Sequence, residues 1–284
     1  MRQRAVAAVL AAFWMAVAAG AAGAETLERV QATGVFKLGF REDAAPFSFR
    51  SALGEPSGYA VDLCRAVAVA AKERLGLDAV TLEYVPVAAE RRFDAIAAGE
   101  IDILCGPATI TLSRRAKVDF SLPIFNDGAS VLYRQDGPAR FEDLAGETVG
   151  VREGTTTAAA LRNTLARLEL AAEVLAVGDH ADGLAQLEAG AISAYFADQS
   201  ILYFLAATSA APEKLRLSDR RFTYETYGLA FARGDAEFRL LVDATLARIY
   251  RSDQIERIFR AAFGPRAVPS ATLKALYIIN RLPE

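Results

Sequence analysis

Ile96-Ala97-Ala98-Gly99-Glu100-Ile101-Asp102 and, 91 residues downstream, Leu187-Glu188-Ala189-Gly190-Ala191-Ile192-Ser193 carry one pattern twice. In each, a helical run closes on a glycine, the residue that turns into the left-handed region without a Cβ penalty, and an isoleucine then opens a strand. The echo predicts two lobes of one design; a chance repeat is the plainer alternative, since helix-glycine-strand is a common local solution. Working outward, the chain from Val35 alternates short apolar runs with alanine-rich helical stretches, the βα rhythm of an α/β protein with a mostly parallel sheet. Strands are expected at 35–39, 80–85, 101–104, 131–134, 148–151, 174–177, 192–196 and 228–231. A helix over 59–75 places Leu63, Val67, Ala70 and Ala71 on one face and stops at Gly76. Two turn-prone stretches, Asp127-Gly128-Ala129-Ser130 and Thr226-Tyr227-Gly228, lead into apolar strands. If the chain crosses between lobes at both, residues 25–129 and 228–284 form the first lobe and 130–227 the second. A lobe joined by two strands can hinge shut on something held in the cleft.

Residues 1–24 (MRQRAVAAVLAAFWMAVAAGAAGA) read as a cleaved secretory leader, with Arg2 and Arg4, an apolar run, and small residues at Ala22 and Ala24. They contain the single tryptophan, Trp14, and both methionines. No later stretch approaches the roughly 18 uncharged residues of a membrane helix, so the mature chain is expected to be soluble. Removing the leader leaves 30 basic against 35 acidic residues, a net charge of −5, which argues against a nucleic-acid partner. At 53% hydrophobic and 24% charged, the chain is no disordered polymer. Cys64 and Cys105 are either one disulfide, which an oxidising compartment permits, or two buried thiols.

Several chemistries are absent. There is no GxSxG, GxGxxG, Walker, CxxC or HExxH motif. One histidine and two separated cysteines supply metal chemistry poorly, and nothing argues for a bound cofactor. What remains handles anions near strand ends. After the expected strand at 101–104 come Thr109, Thr111 and a short helix carrying Arg114, whose guanidinium can grip a carboxylate with two prongs; a solvated helix face is the plainer alternative. Gly154-Thr155-Thr156-Thr157 opens a helical stretch, either as an anion site or as a simple cap. Asp198 ends a strand, either to hold an ammonium group or to cap the next helix.

With these residues assembled, the sequence resembles the family 3 extracellular solute-binding proteins, receptors of amino-acid ABC importers, and within them the glutamate/aspartate-binding proteins. The resemblance runs from about residue 26 to 263 and is densest at GFREDAAPFSF, GYAVDLC, GEIDILCGPATITLSRR, VDFSLPIF and GVREGTTT. It implies a periplasmic-binding-protein type II fold, two βα lobes on a two-strand hinge with an amino acid between them. Carried over by position, Arg114 would take the α-carboxylate, with Thr109 through its hydroxyl or N–H and Thr156 from across the cleft. Asp198 and the Pro107 carbonyl would take the α-ammonium. Arg41, Arg92 and His180 would meet a distal carboxylate; Ala89 stands where relatives often carry a hydroxyl. With Asp198 as the one counted carboxylate, the three arginines would make a positive pocket in a net-negative protein.

The resemblance implies a monomeric, non-catalytic periplasmic receptor that delivers an acidic L-amino acid to a membrane permease. No lipid-attachment cysteine follows the leader, so a free protein is expected. Two alternatives stand beside it. A secreted cyclohexadienyl-dehydratase-like enzyme would need a positioned acid and base, for which His180 and Glu153 are the candidates. A receptor for another polar amino acid, such as glutamine, would reuse the same grip. A sensor domain would need a membrane anchor after the domain, and the tail to Glu284 offers none.

Overall fold

The computed structural model describes residues 26–283; the leader reading and Trp14 lie outside the described residues. The chain opens with α1 (Thr26–Thr33), β1 (Val35–Phe40), the short β2 (Asp43–Ala44), β3 (Ser48–Arg50) and β4 (Pro56–Ser57), then α2 (Tyr59–Arg74), β5 (Thr81–Pro86), α3 (Arg92–Ala97), β6 (Ile103–Cys105), α4 (Leu112–Arg115) and β7 (Val118–Phe120). After β8 (Phe125–Asp127) follow β9 (Ala129–Arg134), β10 (Thr148–Arg152), α5 (Thr156–Arg167), β11 (Glu173–Val177), α6 (His180–Glu188), β12 (Ala194–Asp198), α7 (Gln199–Thr208) and β13 (Leu215–Leu217). The chain returns through β14 (Glu225–Tyr227) to β15 (Ala230–Ala232), α8 (Ala236–Tyr250), α9 (Gln254–Phe263) and α10 (Ala271–Ile279). Among the described residues no helix is long and apolar enough to cross a membrane.

Two five-stranded sheets have one topology. The first runs β5-β1-β6-β15-β7 and the second β11-β10-β12-β9-β13. In each, the first three strands are parallel and the fourth and fifth each pair antiparallel to their predecessors. The fourth strand of each, β15 or β9, is the one that follows directly on β14 or β8. These two pair antiparallel as a separate ribbon, Glu225 opposite Asp127 and Tyr227 opposite Phe125, so the turn-prone stretches are largely extended. Phe125 stacks on Phe263 at 5.4 Å between centroids, and Phe47 meets Phe125 edge-on at 4.8 Å. Burying these rings anchors the ribbon to the first lobe.

The echo has a packing cause that its isoleucines reveal. Ile101 and Ile192 do not open strands, which begin two residues later. Each instead folds over a glycine in the central parallel strand: a Cβ on Gly39 would lie 2.3 Å from Ile101 Cδ1, and one on Gly150 would lie 2.5 Å from Ile192 Cδ1. Gly99 and Gly190 turn the chain at φ +67° and +75° to bring each isoleucine there. Side-chain volume on one strand is thus matched to its absence on the neighbour, at the density that a native core requires.

Cys64 and Cys105 form a disulfide with 5.9 Å between Cα atoms, tying α2 to the end of β6. The bridge closes a loop of sequence separation 41, for which chain entropy predicts roughly 3–4 kcal/mol of stabilisation. We expect the Cys64→Ala/Cys105→Ala protein to unfold at correspondingly lower urea concentration while still binding ligand; an unchanged midpoint would show that the bridge constrains little in the unfolded chain.

Candidate functional site

The sequence-predicted residues gather where the two sheets face one another. Arg41 follows β1, Pro107 and Thr109 follow β6, Thr156 follows β10, His180 follows β11 and Asp198 ends β12. All stand at the carboxyl ends of parallel strands, where side chains and helix starts face a shared crevice in open α/β sheets. Arg92 opens α3 and Arg114 lies in α4.

At one end Arg114 stands beside Thr109. Nη1 of Arg114 donates to the Thr109 carbonyl at 2.8 Å, and its guanidinium lies 5.0 Å from the Phe93 ring centroid. Arg115 is exposed, as its position on the turn predicts. α4 is only one turn long, so it adds no appreciable dipole beside the Arg114 charge. Thr109 is paired with Tyr227 through flanking bonds only, Ile110 N–H to Thr226 and Gly228 N–H to Ala108, so its own N–H faces away from β14. Across the cleft, Thr155 caps α5 by accepting from the Ala158 N–H. Thr156, the first helical residue, is therefore free of capping and has an N–H with no intrahelical acceptor.

The threonine hydroxyls are already engaged within the protein. Thr109 Oγ1 donates to Glu225 Oε2 at 2.5 Å and Thr156 Oγ1 to the same oxygen at 2.6 Å, while Thr223 donates to Oε1 at 2.8 Å. A hydroxyl has one proton, so only the backbone N–H groups of Thr109 and Thr156 remain for a guest carboxylate beside Arg114. Glu225, on the ribbon and buried, thereby joins both lobes.

Asp198 occupies the N-cap position of α7 but makes no capping bond. Asp127 does that work from β8, accepting the Ser200 N–H at 3.2 Å. Asp198 is left with Oδ1 out of solvent and unpartnered, and Tyr227 nearby has a hydroxyl in the same condition. Desolvation, then the charges of Glu225 and Asp127, hold the Asp198 carboxyl well above the usual carboxylate range, with Arg114 opposing. Burial pushes Asp127 up to about 6. A cluster of carboxylates in this condition calls for a cation, and a primary ammonium has the donors to supply it. Pro107, half-buried, sits between β6 and Thr109.

The other end holds Arg92, Arg41 and His180. Arg92 is 3% exposed. Its Nη1 donates to the Ala89 carbonyl and, at 3.2 Å, to the carbonyl of Gly154 in the opposite lobe, and its guanidinium packs 4.6 Å from the Phe93 centroid. Nε has no partner. Desolvation, then repulsion from Arg114 and Arg41, push its pKa down to about 9, so it is charged at neutral pH yet poorly compensated. Arg41 is buried too, but Nη2 is paired with Asp43 Oδ1 at 2.6 Å. His180 Nδ1 is 2.6 Å from the Tyr195 hydroxyl. Burial pushes its pKa down to about 4, so at neutral pH it is an uncharged ring.

The pocket is thus less positive than three arginines against Asp198 would make it. Asp43, Glu225 and Asp127 stand in the same field, because the β2 hairpin returns Asp43 onto Arg41 and the ribbon runs beneath the cleft. Glu153 and His180 are not brought together as an acid and base: Glu153 pairs with Arg162 at the surface. Reading the sequence missed Asp43, Glu90, Arg152, Tyr195 and Glu225. Only the spacing of Arg41 and Asp43, two residues apart, carried a local signal.

The profile of the bacterial extracellular solute-binding proteins, family 3, matches residues 36–265. The L-glutamate/L-aspartate-binding protein of Pseudomonas aeruginosa is 30% identical over 236 residues, 82% of this chain and 78% of that one. The glutamate/aspartate import solute-binding protein of Salmonella typhimurium is 29% identical over 86% of this chain and 84% of its own length. Among solved structures, the ancestral amino acid-binding protein AncCDT-1, described as a precursor of cyclohexadienyl dehydratase, superposes with a TM-score of 0.72 at 26% identity, covering 84% of this chain and all of that one. With the family profile spanning both lobes and the ribbon between them, this chain belongs to the family 3 bacterial extracellular solute-binding proteins.

Proposed function

We propose that this protein is the periplasmic receptor of an ABC importer and closes on an acidic L-amino acid, glutamate or aspartate, for delivery to a membrane permease. In this reading the hinge separates a lobe of residues 25–129 and 228–284 from one of 130–227. Arg114 with the N–H groups of Thr109 and Thr156 holds the α-carboxylate; Asp198 and the Pro107 carbonyl hold the α-ammonium. Closure is the switch, since a permease can distinguish loaded from empty receptor only if ligand favours the closed form.

The observation that carries the acidic preference is Arg92: a buried cation, repelled by two others, with an unpartnered Nε. A distal carboxylate would compensate it, whereas the amide of glutamine brings no charge. Arg92→Ala is expected to narrow the ratio of glutamate to glutamine affinities by about tenfold or more, on the scale of a truncated buried charge pair. Isothermal titration of both ligands measures it, and equal losses for the two would remove Arg92 from the distal contact. Titration of the ligand-stripped wild-type protein with the common amino acids tests the function itself. If neither dicarboxylate binds below about 100 μM, a loose bound on the affinity scale, the acidic assignment fails.

A second reading, a receptor for a neutral polar amino acid such as glutamine, is favoured by the Arg41–Asp43 pair, which already neutralises one of the three cations. The same titration separates the two.

A further inference from the structure

Arg152 has no role in the grip described above, yet it reaches from the end of β10 into the opposite lobe. Its Nη1 and Nη2 lie 2.7 and 3.4 Å from Oε1 and Oε2 of Glu90, a two-pronged contact. Its Nε lies 3.6 Å from Oδ2 of Asp43. Those two atoms are both withdrawn from water and have no hydrogen-bond partner, so they face each other at ion-pair distance. The Arg152 and Asp43 side chains are 12% and 13% exposed, and Glu90 43%; the contact therefore runs from the buried interior out to the rim. Beyond it lies a crevice of about 310 Å³, bordered by Glu42, Val87, Ala88 and Asp179 as well as by Asp43 and Arg152.

The backbone beside Arg152 is shaped to the same contact. Gly154 sits at φ +70°, and a Cβ there would lie 3.1 Å from both Cα and Cγ of Glu90. Its carbonyl accepts from Arg92. The loop at 152–154 thus seats directly on the segment 89–92, with no side chain between the two backbones at Gly154.

We propose that Arg152 is a positioning residue that latches the lobes shut against Glu90 and Asp43, so that release of any ligand must first break this contact. The inference deepens the receptor function proposed above but does not depend on which amino acid is bound, because the latch consists of protein groups alone. Stopped-flow dissociation from the intact protein tests it. Arg152→Gln is expected to raise koff about tenfold, between the effects of exposed and buried ion pairs, with kon little changed and the same factor for glutamate and glutamine. Glu90→Gln should act alike, and the double variant should be no worse than the worse single one. Unchanged koff or additive single effects would each overturn the latch.

If neither glutamate nor glutamine binds the wild-type protein, the ligand assignment fails but the latch is still tested, on whichever common amino acid does bind. In ligand-free protein, paramagnetic relaxation from a spin label on the second lobe reports the closed population. It should fall in Arg152→Gln, and no change would count against the proposal.

Discussion

Arg114→Ala is expected to lose every amino acid at once, by about 30-fold to several thousand-fold, the range that truncating one partner of a desolvated charge pair covers. The size follows from what remains behind. The N–H groups of Thr109 and Thr156 are neutral donors, and both threonine hydroxyls are committed to Glu225. Without the guanidinium, the guest's α-carboxylate would stand near Glu225 and Asp198, both close enough to act on the Arg114 charge, with no cation between them. Arg114→Lys should restore little, since a point charge cannot reproduce a two-pronged planar contact. Isothermal titration across the common amino acids measures the loss, and the melting temperature checks that the half-buried side chain is not a folding determinant. Any amino acid still bound within tenfold of its wild-type affinity would remove Arg114 from the common carboxylate grip.

The second large effect is expected at Asp198, and it depends on pH. Its carboxyl is held well above the usual range in the ligand-free protein by desolvation and by Glu225 and Asp127. An ammonium guest needs the ionised form, so binding must expel a proton wherever the ligand-free group is still protonated. The sign follows. Affinity should fall as pH drops below the raised ligand-free value and level off above it, with proton release confined to the window between the liganded and ligand-free pKa values. Linkage also acts on folding. A raised carboxyl binds its proton more tightly folded than unfolded, so this group favours the ligand-free fold most below its ordinary pKa of 3.8. That contribution is lost as pH rises through the folded value. Titration in buffers of different ionisation enthalpy counts the protons released. Asp198→Asn should flatten the pH profile and weaken binding by about a hundredfold, as for a buried charge pair that loses one member. A profile that keeps its slope in the variant would place the titrating group elsewhere in the cluster.

The proposed acidic preference rests on a finer balance than either of these grips. Arg41 is satisfied internally by Asp43 and His180 is uncharged at neutral pH, so Arg92 is the cation with most to gain from a distal carboxylate. Selectivity and affinity are therefore expected to separate: Arg114 and Asp198 govern whether an amino acid binds, and Arg92 governs which.

Much of this architecture is written in local pattern. The alternation of apolar runs with alanine-rich stretches located eight strands to within about two residues, and the echo around Gly99 and Gly190 announced two lobes, because strand and helix periodicities are properties of neighbouring residues. Arg114, Thr156 and Asp198 stand at strand ends or helix starts that the pattern already marks, whereas Arg41 and Arg92 were named only through the family resemblance. Their partners were not legible. Thr109 meets Glu225 across 116 positions and Arg152 meets Glu90 across 62, distances over which no periodicity carries information. Whether Asp198 caps a helix or awaits a cation depends on Asp127 arriving from the ribbon to cap α7 in its place. Local order came from residue spacing along the chain; the charge state of the cleft came from which side chains the two lobes desolvate together, a property that exists only once the two sheets face each other.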